Sequence, residues 1–151
     1  MNRSIRKVAV LGSGIMGSRI ACHFANIGVE VLLLDIVPRE PNDAEKAKGL
    51  TTEHPAVRNR IVNEAFQNTL KSNPAALYSP LFANRVKLGN FDDNLAEIKN
   101  YDWVIEVIVE NLAIKQSLYA PQGVRWLVLW LFRHRWVLSE RCPKARPPRQ
   151  Y

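Results

Sequence analysis

The chemistry that this sequence makes most legible lies in the three glycines of the loop Gly12-Ser13-Gly14-Ile15-Met16-Gly17 and in Asp35 beyond it. Gly12 lets the chain turn sharply off the end of a strand. Gly14 has no side chain, so a pyrophosphate can approach the backbone there. Gly17 lets the helix that follows lie close on a sheet. Free N–H groups at a helix start point at bound phosphates, and the helix dipole favours their negative charge. Asp35 follows Gly17 by eighteen residues. A carboxylate at that spacing is placed to accept hydrogen bonds from both hydroxyls of a ribose. It would repel a 2′-phosphate, so the pattern favours NAD over NADP.

A glycine loop alone is weak evidence, and its value depends on what surrounds it. Residues 8–11 are short, apolar and partly β-branched, as a strand buried on both faces should be. Ile15, Ile20, Phe24 and Ile27 recur at helical spacing and predict an apolar stripe. Gly28 sits where a helix end favours a left-handed residue. Residues 29–34 read as a second strand, closed by Asp35. A βαβ unit with no ligand is the competing reading, and this ordered context disfavours it.

Beyond Asp35 comes a polar stretch with Pro38, Pro41 and Asn42. Residues 56–71 carry Val57, Ile61, Val62, Ala65, Phe66 and Leu70 as a helical stripe, bounded by Pro55 and Pro74. Residues 75–83 predict further helix broken at Pro80. Residues 85–88 read as a short strand ended by Gly89. Asp92 is placed to cap a short helix that carries Leu95 and Ile98. Residues 103–109 form a third long apolar run, closed by Glu110 and followed by helical composition over 111–119. This order predicts an α/β fold: a Rossmann-like, doubly wound parallel sheet with right-handed crossovers.

Two blocks match a family rather than a fold: VAVLGSGIMGSRIACHFANIGVEVLLLDI at residues 8–36, and VKLGNFDDNLAEIKNYDWVIEVIVENLAIKQSLY at residues 86–119. Over residues 6–119 the chain resembles the N-terminal, NAD-binding domain of the 3-hydroxyacyl-CoA dehydrogenases. These enzymes oxidise the 3-hydroxyl of a fatty acyl-CoA during β-oxidation. The resemblance implies that the loop from Gly12 to Gly17 holds the pyrophosphate of NAD, with Ile15 and Met16 offering backbone amides. It implies that Asp35 binds the adenine ribose and that Val107 lines the cleft through its backbone. Glu110 and Lys115 match positions near the nicotinamide. Read without the resemblance, Glu110 is an acid favoured at a helix start and Lys115 a cation on a solvated helix face. In the family the excursion after the second strand lies near the CoA moiety, where Arg58, Arg60 and Lys71 could serve phosphates, but a solvated helix face is the preferred reading.

The family's remaining parts are not found in these residues. They are a Ser-Asn-Thr-Ser-type strand end, a histidine base oriented by a glutamate, an assisting asparagine, and an all-helical domain that forms the dimer. His23, His54 and His134 do not stand in that histidine's context. No catalytic residue is therefore assigned, the sheet is expected to be incomplete on its C-terminal side, and catalysis by this chain alone is not expected. Acyl-CoA and a homodimeric partner belong to the intact enzyme. No metal ligand set is apparent.

Residues 120–151 differ in kind. They hold seven basic residues and one acid, whereas residues 1–119 hold fourteen and thirteen. Of the net charge of +7, +6 thus resides in the tail and +1 in the rest, which gives no reason to invoke a nucleic acid. Trp126, Trp130 and Trp136 are interspersed with arginines. The expectation is a Rossmann domain over 1–119 and a tail that is not a domain, translated after the reading frame is lost near Ala120. The rival reading is a genuine tail that associates with membrane or nucleic acid, but its charges do not segregate onto one face. A non-catalytic NAD-binding or structural protein is a further alternative, since fold does not fix function. No apolar run approaches a bilayer span and no signal peptide is apparent, so neither membrane nor nucleic acid is expected as a partner. Cys22 and Cys142 make no disulfide framework, which suits a reducing cytoplasm.

Overall fold

The computed structural model of the chain describes residues 4–108, 128–132 and 135–139. Its strands are β1 (Lys7–Leu11), β2 (Glu30–Asp35), β3 (Val86–Asn90), β4 (Trp103–Glu106), β5 (Val128–Phe132) and β6 (Arg135–Ser139). They form one sheet in the order β3-β2-β1-β4-β5-β6. β1 pairs in parallel with both β2 and β4, and β2 with β3. The chain runs outward from β1 through β2 to β3, then crosses back to β4 on the other side. That reversal opens a crevice at the carboxyl ends of β1 and β4, where open α/β sheets bind ligands. The runs at 8–11 and 31–34 are buried on both faces, which is why they are apolar without alternation. Val8, Val10, Val31, Leu33 and Ile105 build the core on one face; Ala9, Leu11, Leu32, Leu34 and Val104 build it on the other.

Helix α1 (Ile15–Asn26) covers the first face, but not with the predicted stripe. Ile15 and Ile27 are 82% and 60% exposed. The buried positions are Gly17, Ser18, Ala21, Cys22 and Ala25, with Ile20 and Phe24 packed at their margin. A helix seated this close to a sheet can bring only small residues to the contact. Burial pushes the Cys22 thiol up from its ordinary value, against the opposing charge of Arg19, as suits a small core residue. The helix ends as predicted. Gly28 has φ +90°, its amide donates to the Ala25 carbonyl, and the Val29 amide donates to that of Phe24, a Schellman closure.

The segment between β2 and β3 departs from the sequence reading in three places. Residues 43–47 form a short helix, α2 (Asp43–Ala47), under a capping box made by Asn42 and Glu45. The helix predicted over 56–71 is two helices, α3 (Pro55–Arg58) and α4 (Arg60–Leu70). They part at Asn59, whose side-chain oxygen accepts from the side-chain Nδ2 of Asn90 at the end of β3. Residues 75–79 are not helical, and a 3₁₀ helix begins only at Pro80 (Pro80–Arg85). Asn26 fastens that loop to α1, donating to the Ala76 carbonyl and accepting from the Tyr78 amide.

After β3, helix α5 (Phe91–Asn94) is capped by Asn90 rather than Asp92. The Asn90 side chain accepts from the Asp93 amide at 2.8 Å, because Asn90, not Asp92, keeps extended backbone at the helix entry. A 3₁₀ helix follows (Leu95–Asn100). Asp102 accepts from the amides of Arg6 and Lys7 and pins the start of β1. β4 ends at Glu106, earlier than the predicted 109. The sequence left the outer edge of β4 without a neighbour; β5, from the tail, pairs with it in parallel over three residues. β6 then turns back antiparallel. The parallel part of the sheet is thus short on this side. The helix predicted over 111–119 lies outside the described residues.

Candidate functional site

The glycine loop joins β1 to α1, and each glycine meets a different steric demand. The Gly12 amide donates to the Leu34 carbonyl at 2.8 Å, drawing the ends of β1 and β2 together. Gly12 has φ +103°, a left-handed conformation that other residues adopt only under strain. A Cβ at Gly17 would stand 1.8 Å from the Gly12 carbonyl oxygen, so the helix could not close on the loop with any other residue there. A Cβ at Gly14 would meet nothing within 4 Å. Gly14 therefore faces open space, and its lack of a side chain answers no need of the fold.

Gly14 is also the N-terminal cap of α1. It provides no side-chain hydrogen bond, and the first turn holds no acid. The amides at the helix start are left for a group outside the helix. Ile15 and Met16, the first residues of that turn, are exposed. Ser18 is buried, and its hydroxyl donates to the Ser13 carbonyl at 2.6 Å, which stiffens the loop from beneath.

Asp35 ends β2 and turns toward this loop. One carboxylate oxygen, Oδ2, accepts from the Ser13 amide at 2.6 Å and from the Ser13 hydroxyl at 2.5 Å. The other, Oδ1, accepts from the Ile36 amide at 2.7 Å. Val107, the residue after β4, closes the site. Its amide donates to Leu11, its carbonyl lies against Gly12, and its side chain lies against Gly17. The structure thus brings Gly12, Gly14, Ile15, Met16, Gly17, Asp35 and Val107 together at the carboxyl ends of β1, β2 and β4. Glu110 and Lys115 lie outside the described residues.

The sequence reading missed Ser13, whose only signal was a small hydroxyl residue inside the loop. It also misjudged two arginines. Arg58 and Arg60 are not a solvated face. Arg58 forks onto Asp93 with two bonds of 2.8 Å and reaches Asp92 at 3.6 Å. Hydrogen bonds from Arg58, then Asn90, hold the Asp93 carboxyl below its ordinary value. Arg60 pairs with Glu45 and donates to the Glu40 carbonyl. Lys71 is exposed, as expected. His54 caps α3, accepting from the Ala56 amide through Nδ1, and His23 is exposed on α1. His134 lies outside the described residues.

A groove of about 210 Å³ between α1 and residues 75–78, lined by Arg19, His23, Asn26 and Tyr78, includes none of the loop residues. Among the described residues no cluster of His, Cys, Asp and Glu could hold a metal ion, and no helix is long and apolar enough to cross a membrane. The open space at Gly14, the uncapped helix start and the acid at the end of β2 fit a diphosphate joined to a ribose.

Known proteins match the same region. A family model described as 3-hydroxyacyl-CoA dehydrogenase, NAD binding domain, matches residues 7–122. A probable 3-hydroxyacyl-CoA dehydrogenase of Bacillus subtilis (strain 168) is 48% identical over 120 residues, covering 80% of this chain and 15% of that protein. A probable 3-hydroxyacyl-CoA dehydrogenase of Deinococcus radiodurans is 38% identical over 76% of this chain and 29% of its own length. A putative fatty acid oxidation complex trifunctional enzyme of Rickettsia felis is 40% identical over 79% of this chain and 15% of its own length. The chain therefore spans less than a third of each of these relatives.

Proposed function

Because this chain belongs to the 3-hydroxyacyl-CoA dehydrogenase family through its NAD-binding domain, we propose that it holds NAD for the oxidation of 3-hydroxyacyl-CoA to 3-oxoacyl-CoA in fatty acid β-oxidation. NAD, when bound, supplies the hydride acceptor. The chain's own residues bind and orient it. The amides of Ile15 and Met16 receive the diphosphate over Gly14, Asp35 takes the adenine ribose, and Val107 lines the cleft through its backbone. Glu110 and Lys115 serve the nicotinamide end. The acid–base groups of the reaction are assigned to no residue of this chain. Acyl-CoA and a homodimeric partner belong to the whole enzyme, and the cytoplasm is its setting. Residues 1–119 are the domain and 120–151 are different in kind, in line with a family match that ends at residue 122.

The observation that carries this reading is the pairing of open space at Gly14 with an acid bonded to the same loop through Ser13. Calorimetric titration of NAD and NADP into the chain and into Asp35→Ala tests it. NAD is expected to bind at least tenfold more tightly than NADP. Asp35→Ala is expected to weaken NAD by about tenfold or more, the scale of hydrogen bonds to a charged acceptor, and to erase the preference. Equal affinity for the two dinucleotides, unaltered by the substitution, would overturn it.

A further inference from the structure

Asp35 does not wait for its ligand with both oxygens open. A carboxylate offers about four acceptor sites. Three are taken within the chain: two on Oδ2 by the amide and hydroxyl of Ser13, and one on Oδ1 by the Ile36 amide. We propose that Ser13 sets how Asp35 reads the adenine ribose, by occupying Oδ2 and leaving a single site, on Oδ1, for one of the two ribose hydroxyls. This assignment rests on the NAD reading above and refines it, since the sequence pattern suggests that the acid bonds both hydroxyls.

The physical argument is one of exchange. Ser13 is 1% exposed, and the Ser18 hydroxyl holds its carbonyl from the buried side. Its own hydroxyl already makes a charge-assisted bond to Oδ2. A ribose hydroxyl that displaced it would replace one such bond by another and leave a buried serine hydroxyl in need of a partner. The exchange adds no affinity. A hydroxyl that arrives at the open site on Oδ1 displaces nothing from the chain, and it does add affinity. Ser13→Ala removes only the hydroxyl. The Ser13 amide, being backbone, stays on Oδ2, and one acceptor site opens there for the second ribose hydroxyl.

The test is calorimetric titration of the full 151-residue chain with NAD and with two NAD analogues, lacking the 2′- or the 3′-hydroxyl of the adenosine ribose. In the unaltered chain one analogue is expected to bind about tenfold more weakly than NAD and the other within about twofold of it. In Ser13→Ala, NAD is expected to bind several-fold more tightly, and both analogues several-fold more weakly than NAD. Any other pattern with the unaltered chain overturns the assignment, equal weakening by both deletions above all. Weaker or unchanged NAD binding by a folded Ser13→Ala overturns it too. The pattern in the unaltered chain decides the matter even if the variant does not fold. NAD binding in which both hydroxyls count overturns the role of Ser13 alone; no NAD binding by either protein overturns the NAD reading with it.

Discussion

The β1–α1–β2 unit and the helical excursion between β2 and β3 rest on the same sheet by different means. The first is held by sterics. Gly17 lets α1 touch the Gly12 carbonyl, and small residues line the contact from Gly17 through Ala25. The second buries Val62 and Phe66 in the same core and is fixed in place by polar ties between residues distant in the chain. Arg58 grips Asp93, Asn90 joins Asn59 to Asp93, Arg60 pairs with Glu45, and Arg85 donates to the Ala25 carbonyl at the end of α1. A steric demand marks the residue that meets it, because only one residue type fits. A polar tie marks neither partner, because each alone looks like an ordinary surface residue.

Substitutions can break this contrast or sharpen it. The largest effect is expected at Gly17→Ala, where the added methyl overlaps the Gly12 carbonyl. Overpacking of this severity should cost about 3 kcal/mol or more in urea unfolding. On the same loop, Gly14→Ala meets open space and should cost under about 1 kcal/mol, the scale of a cap substitution. It should nevertheless weaken NAD at least tenfold. Equal stability losses at the two glycines would break the steric account of the loop.

Asn90→Ala tests the excursion. Asn90 is buried and bonds Asn59 and Asp93, so its loss should cost about 2 kcal/mol. Hydrogen exchange should quicken in α3 and α5 before α1. Uniform loss of protection across both regions would show that they are one cooperative unit.

The smallest effect is expected in acid. Asp93 is held below its ordinary value of 3.8 by Arg58 and then Asn90, and Glu97 below its ordinary 4.5 by Lys87 and then Asn94. Both are depressed in the folded chain. Their contribution to stability is therefore fully present above those ordinary values and is lost as pH falls through the lower folded ones. Melting temperature should change little between pH 7 and 5 on their account and fall below about pH 4. Both side chains are substantially exposed, so solvent screens these ties and Asp93→Asn should lower the melting temperature at pH 7 by only ~2 °C. A large drop already at pH 5 would place the acid-sensitive tie elsewhere.

What was legible in the sequence follows the same division. The first four strands in their succession along the chain, the loop, Asp35 at the end of β2, the Gly28 closure and the Pro55 helix start could all be read, because each depends on local residue type and spacing. The break at Asn59 could not, because it depends on a meeting between residues about thirty positions apart. The Asn90 cap is local, a bond from the Asp93 amide three residues on, and the sequence offered Asp92 for it only because the helix begins at Phe91, earlier than its composition suggests. Ile15 and Ile27 misled for a related reason: their spacing is helical, but the sheet's closeness selects small residues instead. Ser13 was passed over because a loop serine has no periodicity to betray it. Its bond to Asp35 exists only once the ends of β1 and β2 are brought side by side.

The central claim is that NAD's diphosphate meets the amides at the start of α1. Amide-resolved NMR of the ¹⁵N-labelled chain, titrated with NAD, tests it most directly. The account expects the largest shifts at Gly14, Ile15, Met16 and Gly17, with Ile36 moving beside Asp35. Saturable NAD binding that leaves those amides unmoved would contradict it.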